Sequence, residues 1–554
     1  MQLTNRIHFR NLRGDLFGGV TAAIIALPMA LAFGVASGAG AAAGLWGAVL
    51  VGFFAALFGG TPTLISEPTG PMTVVMTAVI ANLTAANPEN GMAMAFTVVM
   101  MAGVFQIVFG TLRLGKYVTM MPYTVISGFM SGIGIILVIL QIAPFLGQAS
   151  PKGGVVGTLQ AIPELLANVR PAETLLAAVT VAIIWFMPSK FKRIVPPQLV
   201  ALIVGTVLSL VLFPNIDDIR RIGEIPTGFP AIQMPMFSAT EIQVMFVDAA
   251  VLGMLGCIDA LLTSVIADSL TRTEHDSNKE LIGQGLGNLI SGLFGGIAGA
   301  GATMGTVVNI QSGGRTALSG LTRAGVLLVV ILGAANLTAT IPLAVLAGIA
   351  LKVGIDIIDW SFLKRAHEIS IKGALIMYGV IALTVLVDLI AAVGIGVFIA
   401  NILTIDRMSQ LQSESVMTIA DADDTILLNA EEKRWLDKAN GRLLLFKLSG
   451  PMIFGVAKAI AREHNAIQSC DAIIFDLSDV PHLGVTASLA LENAIAEAAE
   501  KGRQVFVVGA AGQTKRRLEK LKVFTLMPPD RLYMDRSEAL KHAVATLVPV
   551  PSFE

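Results

Sequence analysis

The chain has 554 residues, 54% of them hydrophobic and 14% charged, with 55 glycines and a mean hydropathy of +0.75. That composition excludes an ordinary soluble enzyme and fits a polytopic helical membrane protein. The net charge of -1 supplies no basic field, so nucleic acid finds no support as a partner.

Charge is unevenly distributed: residues 1–405 hold 39 Asp, Glu, Lys and Arg, about 10%, and the rest of the chain holds 38, about 26%. We read residues 1–405 as a transmembrane domain, 406–435 as a linker and 436–554 as a small soluble domain. The basic start MQLTNRIHFRNLRGD runs into the first apolar segment without a convincing cleavage site, so no removable signal peptide is expected.

A membrane-crossing helix needs about 20 apolar residues. Fourteen segments are expected as spans, at 16–35, 41–59, 70–84, 92–111, 121–146, 172–188, 197–213, 248–267, 282–298, 304–313, 321–336, 340–355, 371–387 and 389–404. Those at 70–84 and 304–313 are too short to cross alone and are expected as half-helices. With a cytoplasmic N-terminus, sixteen cations fall on the inner side, among them Arg6, Lys190, Lys192, Arg193, Arg315 and Arg323. Only Lys152, Arg170, Arg220 and Arg221 fall outside, an asymmetry that supports fourteen spans and a cytoplasmic C-terminal domain.

The half-helices share a pattern. Met72-Thr73-Val74-Val75 aligns with Gly305-Thr306-Val307-Val308 at an offset of 233, which also carries Asp15 at the first span onto Asp248 at the eighth. Seven spans per half is an odd number, so the second half enters the membrane upside down, as in the inverted repeats of many secondary transporters.

Each half-helix follows a segment that cannot be helical, from Gly60 to Pro71 and from Gly295 to Gly301. Irregular backbone at membrane depth persists only where it is buried in protein or lines a wet cavity. Two helix N-termini near the midplane offer free N–H groups and about half a positive charge each, which suits an anion.

Asp259 is the foremost ionisable candidate, 11 residues from Asp248 and 9 from Asp268, both read as helix ends. That places it about 15 Å from either end of its helix. A carboxylate there costs about 2.5–3.5 kcal/mol on insertion scales and needs a partner or a function. Thr263 shares its helical face, and a carboxylate, a hydroxyl and freed carbonyls form an oxygen set for a small cation. Glu67 either holds the Gly/Pro-rich backbone or contacts substrate. No Lys or Arg occurs between Pro62 and Leu112 or between Leu281 and Gly314, so the anion's positive charge must come from elsewhere. Asp259 contributes -1, the helix termini about +1 and a bound Na+, or a proton in its place, another +1, so one monoanion brings the sum to zero. A dianion leaves about one charge unbalanced.

The tail alternates apolar strands with amphipathic helices, LLLFKLSG, VAKAIAREHN, AIIFDLSDV, TASLALENAIAEAAEKG and QVFVVGAAG, a small α/β domain. Gly509 to Lys515 does not have the phosphate-loop spacing. The six histidines show no metal-ligand spacing and no nucleophile–base set stands out, so no enzyme is expected.

The Pro68-Thr69-Gly70-Pro71 element, the DALLTS stretch at Asp259, the GAGATMGTVVN segment and the tail together resemble the SulP sulfate-permease family of anion transporters over essentially the whole chain. The resemblance is strongest to its sodium-dependent, bicarbonate-carrying members. It implies an all-α polytopic domain of fourteen spans in a 7+7 inverted repeat, with core and gate parts and elevator-like movement. It further implies a cytoplasmic α/β STAS domain supporting a homodimer, in the plasma membrane. It places bicarbonate near Thr69, Ala302 and Thr303, and co-transported sodium at Asp259, Thr263 and the backbone near Gly305, with Glu67, Gly301, Thr306 and Val307 in support. The basic residue that many relatives carry near the second half-helix is missing, consistent with sodium in its place. Thr486 aligns with the STAS phosphorylatable serine, a candidate regulatory residue, but the Asp before it and the Gly after it are missing. The competing readings are an exchanger of sulfate or another anion, and a membrane-tethered signalling scaffold.

Overall fold

The computed structural model describes residues 4–5, 9–118, 122–188, 191, 195–214, 219–224, 228–387, 389–420, 428–453, 455–462 and 470–547. Arg6, Lys190, Lys192 and Arg193 of the expected inner cations, residues 421–427 of the expected linker and residues 463–465 of the VAKAIAREHN helix lie outside the described residues. The chain divides into two compact units, Met1–Ala400 and Asn401–Glu554.

The first unit is helical. Its main elements are α1 (Leu12–Ala36), α2 (Ala41–Phe58), β1 (Ser66–Glu67), α3 (Gly70–Ala86), α4 (Gly91–Thr111), α5 (Tyr123–Leu140), α6 (Gly154–Ala167), α7 (Pro171–Phe186), α8 (Pro197–Leu212), α9 (Ile242–Thr271) and α10 (Ser277–Leu293). They continue with β2 (Ala300–Gly301), α11 (Thr303–Gln311), α12 (Ala317–Ala339), α13 (Leu343–Ile357), α14 (Trp360–Ile369), α15 (Ile371–Leu386) and the start of α16 (Leu389–Glu414), whose residues from Asn401 on belong to the second unit. Every one of the fourteen apolar segments is helical over most of its length, while α6 and α14 were not foreseen. Among the described residues, five helices are long and apolar enough to cross a membrane, six if α6 and α7, bent by 116°, count as one.

Glycine sets how closely these helices approach. A Cβ at Gly103 of α4 would lie 2.5 Å from the Gly285 carbonyl oxygen of α10, and one at Gly285 would lie 2.5 Å from that of Gly103. Small residues let backbones meet where lipid supplies no hydrophobic drive for association. Charged and polar groups fix the helix ends. Asp15 accepts from the Arg315 and Thr316 amides and the Thr316 hydroxyl, and Thr316 caps α12 by accepting from the Leu318 amide. This capping starts α12 at Ala317, four residues earlier than the apolar run suggests, and sets Arg323 in its second turn. Asp248 also differs from expectation: α9 begins at Ile242, so Asp248 sits inside it and not at its start.

The second unit holds a five-stranded sheet in the order β3 (Val416–Ile419), β4 (Leu443–Ser449), β5 (Ala472–Asp479), β6 (Gln504–Val508) and β7 (Leu532–Tyr533). The β3/β4 pair is antiparallel and the others are parallel. Among the described residues five α-helices complete the unit: α17 (Ala430–Ala439), α18 (Gly455–Arg462), α19 (Val485–Glu500), α20 (Gly512–Lys520) and α21 (Arg536–Leu547). Side chains alternate across a strand, so Leu444, Phe446 and Phe475 pack against α19 while Leu443, Leu445 and Ile474 pack against α17 and α21. Both faces are covered, which is why these strands read as unbroken apolar runs. Strand β3 forms the sheet edge, so the folded unit starts ahead of the boundary placed at residue 436.

Candidate functional site

The two non-helical segments meet. β1 and β2 form an antiparallel ribbon with Ser66 opposite Gly301 and Glu67 opposite Ala300, and the Ala302 amide extends it by donating to the Ile65 carbonyl at 2.8 Å. The chain leaves an antiparallel ribbon in opposite directions, so α3 and α11 begin at its two ends. Neither helix has a side-chain cap, although Thr69 stands at the capping position of α3.

Thr69 instead turns to α9, where its Oγ1 donates to Asp259 Oδ2 at 2.7 Å. One helical turn further, the Thr263 hydroxyl donates to the Gly301 carbonyl at 2.9 Å and lies 3.0 Å from Thr303 Oγ1. α9 thus presents a carboxylate to the start of α3 and a hydroxyl to the start of α11. Asp259 and Thr69 are buried to 8% exposure, whereas Thr303 is exposed. Among the described residues no cluster of three His, Cys, Asp or Glu is placed to hold a metal ion. A cation here would meet one carboxylate together with hydroxyl and carbonyl oxygens, the donors that hard cations take.

The remaining expected residues surround this set. Ala302 is the residue before α11; Gly305 packs against Ile65, and a Cβ there would lie 3.5 Å from Glu67 Oε1. The buried Thr306 accepts from the Ile65 amide at 3.0 Å. Val307 is half-buried in α11, and Thr486 is exposed in the first turn of α19 in the second unit.

The frame that holds the ribbon is not among the residues expected from the sequence. Glu280, Gln284, Asn288 and Ser291 lie fully buried along α10. Gln284 donates to Ser66 Oγ at 2.6 Å, Asn288 exchanges bonds with both Gly299 backbone groups, and Glu280 accepts from the Thr61 amide at 2.8 Å. Their 4-4-3 spacing is a helical stripe and was legible. Asn309 of α11 adds a bond to the Thr63 carbonyl at 2.9 Å. Irregular backbone inside a membrane protein requires such partners.

Arg323, expected among the water-facing inner cations, lies inside the protein instead. It is fully buried; its Nη1 donates to the Ser66 and Ala48 carbonyls at 2.8 Å each, and its Nη2 donates to Glu67 Oε2 at 2.5 Å. A cation missing from the half-helices therefore reaches the ribbon from α12, and Glu67 pairs with it.

A separate cavity of about 690 Å³, lined by Pro62, Thr63, Asp268, His275, Lys279 and Arg315 among others, includes none of Asp259, Thr69 and Thr303. At its wall His275 bridges Asp268 at 2.6 Å and Ser277 at 2.9 Å, tying the end of α9 to the start of α10.

Residues 12–380 match the sulfate permease family and residues 434–539 match the STAS domain. The chain is 80% identical over 549 residues to the bicarbonate transporter BicA of Synechocystis sp., covering 99% of this chain and 97% of that one. The solved transmembrane domain of a cyanobacterium bicarbonate transporter BicA superimposes with a TM-score of 0.68 at 81% identity, covering 71% of this chain and all of that one. The murine Solute Carrier 26 family member A9 anion transporter, in its inward-facing state, shares the fold at a TM-score of 0.81 and 19% identity, covering 98% of this chain and 92% of that one.

Proposed function

The chain belongs to the sulfate permease family, and on that premise we propose that it imports bicarbonate by symport with Na+. Its 80% identity to a bicarbonate transporter over nearly the whole chain supports the substrate. The observation that carries the coupling is the meeting of Asp259, Thr69, Thr263, Thr303 and the Gly301 carbonyl at the starts of two uncapped half-helices.

Sodium rests on Asp259 and Thr263, with carbonyl oxygens of the β2–α11 segment as further ligands. Bicarbonate lies against the first turns of α3 and α11 near Thr69, Ala302 and Thr303, where free N–H groups and the helix dipoles receive it. Glu67 and Arg323 cancel each other, so the sum reduces to one carboxylate, two helix termini, one Na+ and one monoanion. The cycle is then electroneutral, and the sodium gradient drives it with about 1.4 kcal/mol per tenfold ratio.

The architecture we propose is fourteen spans in two inverted halves. α1–α4 with α9–α12 form a moving core, while α5, α7, α8, α13, α15 and α16 form the gate, a division supported, for all of these but α16, by the packing of each set mainly within itself. The N-terminus and the STAS domain are cytoplasmic, the membrane is the plasma membrane, and the STAS domain supports a homodimer. Uptake of labelled bicarbonate into proteoliposomes tests the reading: uptake without a sodium gradient rejects the symport, and uptake of sulfate in place of bicarbonate rejects the substrate.

A further inference from the structure

Arg323 is the largest fully buried side chain among the described residues, and it lies beside the candidate anion site with a carboxylate against it. We propose that Glu67 and Arg323 together set the sodium requirement: Arg323 is a cation already installed next to the site, and Glu67 masks it. The proposal rests on the sodium-symport reading.

Position makes the pair electrostatically relevant. Glu67 belongs to β1, two residues before Thr69, and its Oε1 lies 3.5 Å from where a Gly305 Cβ would stand, in the first turn of α11. Arg323 binds the β1 backbone as well as the carboxylate, and its Nε–H has no partner among the described residues. The charges thus sit between the two half-helix starts, in a buried setting where they act over more than a contact distance. With both ionised they cancel, and the anion depends on sodium to offset Asp259.

Three charge states follow. Neutralising Glu67 leaves an uncompensated guanidinium that supplies the positive charge sodium otherwise brings, so the anion binds without the cation. Neutralising Arg323 leaves a second carboxylate, which tightens sodium binding and weakens the anion. Neutralising both restores a net charge of zero, and the sodium requirement with it. A purely structural pair would give losses of one sign in both single variants.

The experiment measures labelled bicarbonate uptake by the full chain in proteoliposomes as sodium is titrated from zero, with size-exclusion elution to monitor folding. In Glu67→Gln, sodium-free uptake is expected to reach about a tenth or more of the sodium-saturated rate. In Arg323→Gln, half-saturating sodium falls and the bicarbonate KM rises, each by about tenfold. Glu67→Gln/Arg323→Gln needs sodium as the parent does. Removing one partner of a buried pair can unfold a protein; if both single variants are lost, sodium-free uptake by the double variant overturns the proposal. A strict sodium requirement in folded Glu67→Gln, or sodium shifts of the same sign in both single variants, also overturns it. Sodium-independent uptake by the parent chain rejects the symport itself, whereas a sodium-dependent parent with unresponsive variants rejects only the role of this pair.

Discussion

Thr69 donates its hydroxyl hydrogen to Asp259 Oδ2 at 2.7 Å, across 190 residues of sequence. A threonine before a helix usually satisfies that helix's own amides. Here it orients a carboxylate on α9 and leaves the first turn of α3 uncapped. One bond therefore does two things: it fixes the carboxylate on α9 and leaves the first turn of α3 without a side-chain cap.

Thr69→Ala removes a hydrogen bond to a charged group, worth about 1.5–3 kcal/mol. The expected outcome is a rise of about ten- to a hundredfold in the sodium concentration for half-maximal bicarbonate uptake. Thr69→Ser keeps the hydroxyl and should stay within a few fold of the parent. Sodium-titrated uptake measures both, and equal behaviour of the Ala and Ser variants would refute the role given to the hydroxyl.

The close approach of α4 and α10 at Gly103 and Gly285 frames the polar stripe that holds the ribbon. Gly103→Ala drives a Cβ into a carbonyl oxygen at 2.5 Å, so the helices must part. Overpacking of this kind costs about 1–3 kcal/mol. Heating followed by size-exclusion chromatography should show earlier loss of the intact protein. Gly325→Ala in α12, where nothing lies within 4 Å, is the control and should be neutral or slightly stabilising.

Helix positions were legible because apolar runs of near-spanning length have few alternatives, and Asp259 stood out because an acid in such a run needs a partner or a function; the structure gives it the Thr69 hydroxyl as a partner. The ribbon itself was not: β1 and β2 are two residues each, far below the length at which alternation is readable, and they pair across more than two hundred residues. Arg323 escaped for another reason. Charge counting assigns a cation near a segment end to the water side, yet α12 begins at Ala317 behind its Thr316 cap, which Asp15, about three hundred residues away, holds in place, so Arg323 falls in the second turn. A long-range bond to the capping residue leaves no local signature. In the second unit, the strand pattern of LLLFKLSG and AIIFDLSDV was readable, whereas β3 fell in a stretch read as linker because an edge strand of four residues carries little pattern.

In that unit Arg536 of α21 bonds Glu432 at 2.8 Å and Asp476 at 3.1 Å, joining α17 to β5. Burial works against the Arg536 charge, but the bonds and the attraction of the two carboxylates outweigh it and raise its pKa above the ordinary arginine value. Arg536→Met leaves both acids buried without this partner. The cost is about 3 kcal/mol, the lower end for breaking a buried pair, because the guanidinium is partly exposed. Hydrogen exchange on the full chain should quicken across β4–β6 by about a hundredfold, with α1–α4 unchanged. Unchanged exchange in the sheet would show that the pair contributes nothing measurable.

Asp259→Asn separates the cation from the anion without removing bulk. Asn keeps an oxygen that can accept from Thr69, but it no longer carries the charge that draws a cation into a site otherwise lined by hydroxyls and carbonyls. A ligand that binds only the folded state stabilises it by about 2.7 kcal/mol at a hundred times its Kd. The parent chain should therefore melt at a higher temperature in saturating sodium chloride than in choline chloride of the same ionic strength. Asp259→Asn should show no difference between the two salts, together with bicarbonate uptake reduced by about a hundredfold or more. Melting in detergent needs no transport cycle, so it reads cation binding separately from movement. A sodium-stabilised Asp259→Asn would place the cation elsewhere, and a parent chain indifferent to sodium would reject the cation site.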